Sequence, residues 1–116
     1  MLLTHLSSLA ELDELLAASQ ETPVVFFKHS TRCPVSSGAQ SEFMAWARSL
    51  PEDAKVRLAH LDLIRHRDVS SAIAERLGIM HESPQAILVR GGQATWNASH
   101  YSITQASLSA ALAKAG

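Results

Sequence analysis

Cys33 is the only cysteine in the 116-residue chain, and its setting points to chemistry. It follows the apolar run Pro23-Val24-Val25-Phe26-Phe27, whose length and β-branched and aromatic content read as a buried strand. It precedes Pro34, a residue suited to the first turn of a helix, where its missing N–H costs nothing. At a helix start, free amides and the macrodipole favour a thiolate over a thiol. Such positions lower a cysteine pKa from its reference near ~8.5. Arg32 is adjacent, with Lys28 and His29 close behind, so positive charge is expected to add to the effect. Ser36 stands three positions on, completing Cys-Pro-Val-Ser. Its hydroxyl could donate a hydrogen bond to the sulfur, but it cannot resolve a mixed disulfide. If Cys33 reacts, a monothiol cycle is forced: it attacks a disulfide, holds one half, and needs an external thiol for release. Across proteins in general a lone cysteine is more often a small buried hydrophobe; the strand before it and the helix start at it favour reactivity.

Ser83-Pro84 is the second feature. In a strand-and-helix architecture, a proline before the third strand can be cis and lie beside the thiol, with Ser83 offering backbone groups to an extended substrate. Cis bonds are only about one in twenty even before proline, so the fold context alone favours that reading. The six histidines (His5, His29, His60, His66, His81 and His100) look scattered, without the close spacing of a metal site, and no metal is expected. His29 stands out because it precedes the Cys33 loop and could tune the thiol. Arg65, His66 and Arg67 form a short basic spot that reads first as a solvated loop rather than a binding patch, though it could still meet an anionic group on a small thiol. Gly91-Gly92 reads as a turn, since no Lys-Ser or Lys-Thr follows to make a phosphate loop.

The elements that must position Cys33 alternate in type. Leu6, Leu9, Leu12, Leu15 and Leu16 fall at helical spacing and predict a first helix ending near Ser19-Gln20. The strand at 23–27 follows, then a polar loop from Lys28 to Arg32. A helix begins at Pro34, turns Phe43, Met44, Ala47 and Leu50 inward, and stops at Pro51. Val56 to Leu63 reads as a second strand and Asp68 to Leu77 as a helix capped by Gly78. Gln85 to Arg90 and Gln93 to Asn97, joined by Gly91-Gly92, predict a β-hairpin. A last helix spans Thr104 to Ala115, with Thr104 as its N-cap. The order α-β-α-β-α-β-β-α predicts one α/β domain over 1–116: a central mixed β-sheet flanked by helices on both faces, in the thioredoxin-like arrangement.

Composition narrows the function. Hydrophobic residues make up 47%, enough for a core, and the formal net charge is −1. That balance makes no electrostatic case for nucleic acid or an anionic membrane. There is no bilayer-length apolar run, and Met1-Leu2-Leu3-Thr4-His5 lacks the cationic start of a secretion signal. A cytoplasmic monomer is expected.

Three stretches resemble one family. Phe27-Lys28-His29-Ser30-Thr31-Arg32-Cys33-Pro34-Val35-Ser36 is similar to the active-site segment of the bacillithiol-system YtxJ family, the monothiol bacilliredoxins. Ile73 to Ile79 with His81-Glu82-Ser83-Pro84-Gln85, and Trp96 to His100 followed by Ile103-Thr104, resemble it too. The resemblance implies a thioredoxin-like fold and a thiol–disulfide oxidoreductase that removes bacillithiol from protein mixed disulfides. It implies Cys33 as nucleophile, Thr31, Arg32, Pro34 and Ser36 as the active-site loop, and Ser83-Pro84 as the cis-proline element holding the substrate backbone. No bound cofactor is implied; bacillithiol is the expected co-substrate and S-thiolated client proteins are the partners. Two alternatives stay open: a non-catalytic binding or redox-sensing module, and the same chemistry with another small thiol such as glutathione.

Overall fold

Short apolar strands alternating with amphipathic helices give the order β-α-β-α-β-α-β-β-α in the computed structural model, which describes residues 2–115, the side chain of Leu2 excepted. The strands are β1 (Leu2–His5), β2 (Val24–His29), β3 (Arg57–Asp62), β4 (Gln85–Arg90) and β5 (Gln93–Ser99). The helices are α1 (Leu9–Ala18), α2 (Pro34–Ser49), α3 (Arg67–Leu77) and α4 (Gln105–Ala115). The strands form one sheet in the order β1-β3-β2-β4-β5. β1 and β2 flank β3 in parallel, while β4 runs antiparallel to β2 and to β5. This is the mixed sheet with helices on both faces that the sequence predicts.

Alternation along β2 sorts the core into two layers, because successive strand side chains point to opposite faces. Val25 and Phe27 pack with Phe43, Trp46 and Ala47 of α2 and with Leu108 and Ala111 of α4. Val24 and Phe26 pack with Leu12 and Leu15 of α1 and with Val69 and Ile73 of α3. The same alternation extends past Phe27. Lys28 and His29 continue β2 and are buried, which corrects the expected polar loop from Lys28. The strand reaches further than its apolar run because β3 and β4 pair with those residues too: Lys28 lies opposite Leu61 and Gln85, and His29 opposite Asp62.

β1 is the element the sequence reading omitted. Its four residues are too few for periodicity to register; it forms only because β3 offers a parallel edge, pairing Leu3 with Leu58 and His5 with His60. In consequence α1 starts later than the leucine spacing implied. Ser8 caps it by accepting a hydrogen bond from the Glu11 amide at 3.2 Å. Leu6 is buried from the connecting loop, and Leu9 is exposed.

The remaining elements follow their local chemistry. Gly78 caps α3 in the left-handed conformation at φ 63° that glycine adopts without strain. Gly91 and Gly92 both have positive φ, as a tight hairpin turn requires. Thr104 caps α4: its hydroxyl accepts the Ser107 amide and the Ser107 hydroxyl accepts the Thr104 amide, each at 3.0 Å. Among the described residues no helix is long and apolar enough to cross a membrane.

Candidate active site at the start of helix α2

Parallel pairing of β2 with β3 and antiparallel pairing with β4 bring three segments to one end of the sheet. They are the Ser30–Cys33 loop after β2, the Asp62–Arg67 connection after β3, and Ser83-Pro84 before β4. Cys33 is the N-cap residue of α2 with Pro34 in the first turn, and its extended backbone (φ −115°, ψ 118°) suits that position. Its side chain is half-buried and makes no capping hydrogen bond. Its amide closes a turn on the Ser30 carbonyl at 3.3 Å, with Thr31 and Arg32 exposed in that turn.

Ser36 is fully buried and faces away from the role its position suggested. Its hydroxyl oxygen accepts the Ser30 amide at 2.9 Å and meets His29 Nδ1 at 2.8 Å. The expected hydrogen bond from Ser36 to the sulfur is therefore replaced. Ser36 fastens the loop to the end of β2, and the Ser36 amide bonds the Cys33 carbonyl at 3.0 Å. Ser36 thus fixes the turn that presents Cys33.

The peptide bond between Ser83 and Pro84 is cis, as the fold context favoured. Pro84 is buried, and its carbonyl accepts the His100 amide at 3.1 Å. The Ser83 hydroxyl is buried without a hydrogen-bond partner. Gln85, almost wholly buried, donates from Nε2 to the Met80 carbonyl at 3.1 Å and so holds the segment ahead of Ser83.

The three basic residues near Cys33 in sequence lie in different places. Arg32 is on the surface. His29 shares the α2 face with Phe27, their rings stacked at 6.2 Å. Lys28 shares the α3 face, where its Nζ donates to the Ser70 carbonyl at 3.4 Å. Burial pushes the Lys28 ammonium down to about 8.

The histidines are less scattered than the sequence suggested. The His60 ring lies 5.7 Å from His5 and 5.6 Å from His29, because β1, β3 and β2 are neighbours. His60 Nε2 also meets Gln40 Oε1 of α2 at 2.9 Å. Burial, and then the nearby His29 and His5, push His60 down to about 4 against the opposing pull of Asp62. Burial also lowers His29, opposed by Asp62 and by its bond to Ser36. This row stayed invisible while β1 was unrecognised. Among the described residues no group of three or more His, Cys, Asp or Glu is arranged to hold a metal ion.

The basic spot splits as well. Arg65 and His66 line a small hollow with His5 and Asp62, whereas Arg67 lines a separate groove along α3 with Ser70 and His81. A further hollow of about 420 Å³ lies on the other side of Cys33, between Pro34 and Val35 of α2 and Tyr101.

This arrangement has counterparts among known proteins. A family model described as monothiol bacilliredoxin BrxC matches residues 4–108. A solved structure described as a candidate oxidoreductase with a thioredoxin fold is 29% identical, with a TM-score of 0.80 over 95% of this chain and 93% of that one. Fasciola hepatica thioredoxin superposes with a TM-score of 0.75 over the full length of both chains at 15% identity. Mitochondrial thioredoxin 3 from Saccharomyces cerevisiae gives 0.72 over 97% of this chain and 94% of that one at 17% identity. The two thioredoxins establish the fold alone.

Proposed function

The chain belongs to the monothiol bacilliredoxin family, a family of thiol oxidoreductases on the thioredoxin fold, and on that premise we propose that Cys33 removes bacillithiol from proteins that carry it in mixed disulfides. The Cys33 thiolate attacks the bacillithiol sulfur of the mixed disulfide. That S–S bond breaks as the Cys33–bacillithiol bond forms, and the client leaves as a thiolate that takes a proton from water. A second bacillithiol thiolate then attacks the bacillithiol sulfur held on Cys33. The product is bacillithiol disulfide, and Cys33 is free again. The net reaction exchanges one disulfide for another: the client mixed disulfide and one bacillithiol thiol become a free client thiol and bacillithiol disulfide.

The observation that carries this reading is the position of a single, partly accessible thiol at the N-cap of α2, with no second cysteine to compete for its adduct. Thr31 and Arg32 shape an open turn through which a client can approach. Pro34 keeps the first helical turn without an amide of its own. Ser83-Pro84 offers extended backbone at the same end of the sheet for the client chain.

Intact mass is the decisive measurement. Reduced protein is mixed with a model protein carrying one bacillithiol mixed disulfide, quenched with acid and weighed. The bacillithiol mass is expected on Cys33, with the model protein released as a free thiol and Cys33→Ser inactive though folded. Retained activity in Cys33→Ser, or no transfer where a known exchanger succeeds, would sink the reading. Transfer from a glutathione mixed disulfide alone would keep the chemistry and change the thiol.

A further inference from the structure

A groove of about 590 Å³ runs along α3 and begins at the end of the sheet where Cys33 lies. Its walls are mostly apolar: Leu63 from the sheet end, Ala74 of α3, and Ile79 and Met80 from the segment after Gly78. Its charge is confined to particular places. Arg67, at the first position of α3, and His81 line it, and the acid Glu75 lines it further along the helix. Lys28 stands behind Ser70, another lining residue, through its hydrogen bond to the Ser70 carbonyl.

Two of these groups are cations without counter-charges. Among the described residues neither Arg67 nor Lys28 has an acidic partner; the ion pairs join Arg76 to Asp13 and His100 to Glu82. Three acids lie nearby: Glu82, Asp68 and Glu75. Glu82 lies 3.7 Å from His100. Asp68 is exposed beside Arg67, and Glu75, which lines the groove too, lies eight residues along the same helix, about 12 Å from Arg67. His81 reports the local field: burial lowers its pKa first, Lys28 and Arg67 lower it further, and only Glu82 opposes them. An ammonium with no exposed surface and no counter-ion is costly to keep, and an anion in the groove would relieve that cost.

We propose that this groove binds the carboxylate-bearing half of the small thiol, with Arg67 at its mouth and Lys28 behind Ser70 as the counter-charges. The inference rests on the thiol-exchange reading, since it names the part of the co-substrate that the site holds while its sulfur faces Cys33. The ligand chemistry is a carboxylate attached to a cysteinyl thiol. Bacillithiol and glutathione both carry it; cysteamine does not. The apolar walls accommodate the uncharged part of such a molecule, and Arg67, with its planar fork, suits a carboxylate.

The test uses Cys33→Ser protein, in which no exchange can occur, titrated with reduced bacillithiol while backbone amides are followed by NMR. The expected result is saturable shifts at Ser70, Ser71, Ala74 and His81, absent with cysteamine and weakened by added salt. Arg67→Gln, a substitution at an exposed position, is expected to weaken binding about tenfold by the loss of one charge-assisted contact. Lys28→Met should weaken it as well. Glutathione shifting the same amides equally supports the carboxylate site and denies it a part in choosing the thiol. Shifts confined to Gly38 and Tyr101 in the opposite hollow, or an affinity indifferent to Arg67→Gln, overturn the proposal. The readout is separate from catalysis. Binding in the groove without transfer to Cys33 in the intact protein defeats the exchange reading alone, and transfer without groove binding defeats this inference alone.

Discussion

On the α2 side of the sheet, the polar groups behind Cys33 satisfy one another: His29 meets Ser36, Ser36 accepts the Ser30 amide, and His60 meets Gln40. On the α3 side, one residue earlier in the same strand, Lys28 makes a long contact to a carbonyl, both Lys28 and Arg67 act on His81, and among the described residues no acid is paired to either cation. The two sides differ because β2 alternates. Adjacent residues of one strand meet different helices, and those helices bring different chemistry. A closed network fixes a loop, whereas open positive charge recruits a ligand. The α2 side thus has the character of a mount for Cys33, and the α3 side that of a receptor.

The largest expected effect is on the receptor side. The Lys28 ammonium sits at about 8 in the folded chain against an ordinary 10.5. Between those pH values the unfolded chain holds a proton that the folded chain has released. Stability therefore rises with pH through that window, by on the order of 3 kcal/mol. Urea unfolding measured from pH 7 to pH 11 should show the rise, and Lys28→Met should abolish it while making the protein more stable at neutral pH. An undiminished slope in Lys28→Met would assign the titration to another group and remove the contrast between the two sides.

The mount should respond at the acid end. His60 lies at about 4, below its ordinary 6.5. Across that interval the unfolded chain binds a proton that the folded chain refuses. Stability is therefore complete above pH 6.5 and falls as the pH drops toward 4. The loss is roughly 2 kcal/mol once partial exposure of the ring is discounted. His29, lowered for the same reason, acts in the same direction. NMR titration of the imidazole protons is the check: His60 still neutral at pH 5.5 fits the buried row, and a midpoint near 6.5 does not.

These contrasts mark what the sequence could and could not reveal. The position of Cys33, the start of α2 at Pro34, the Gly78 cap and the hairpin at Gly91-Gly92 are local features, and each follows from a residue whose backbone preference acts within a turn. Lys28 and His29 misled because polarity usually marks a loop; only pairing with β3 and β4 keeps them in the strand. The histidine row and the division of Arg65 and His66 from Arg67 depend on which strands are neighbours and where α3 begins. Ser36 was found by its spacing from Cys33, but its partner is set by the face that β2 turns toward α2, which spacing alone does not encode.

A smaller effect tests the mount directly. Ser36→Ala removes the acceptor of the Ser30 amide and the partner of His29 Nδ1, leaving two buried groups unpaired. The expected loss is about 1.5 kcal/mol, since His29 can change tautomer and recover part of the cost. The more telling readout is the loop. Hydrogen exchange at the Ser30 and Cys33 amides should quicken in Ser36→Ala, whereas amides in β5 should keep their protection. If stability falls without faster exchange at those two amides, Ser36 is a packing residue and the fastening role fails.

The smallest expected change sharpens the comparison from the other side. Arg67 is exposed and in no ion pair among the described residues, so Arg67→Gln breaks no ion pair there. Its stability should stay within about 0.5 kcal/mol of the parent, and the lost charge should ease the repulsion felt by His81. His81 should then titrate at higher pH than in the parent, because Arg67 is one of the groups that lower it. A substitution that weakens ligand binding, raises the His81 midpoint and leaves unfolding unchanged is the signature of a charge kept for a ligand. If Arg67→Gln instead costs as much stability as Ser36→Ala, the cation belongs to the fold, and the two sides of the sheet are more alike than their hydrogen bonds imply.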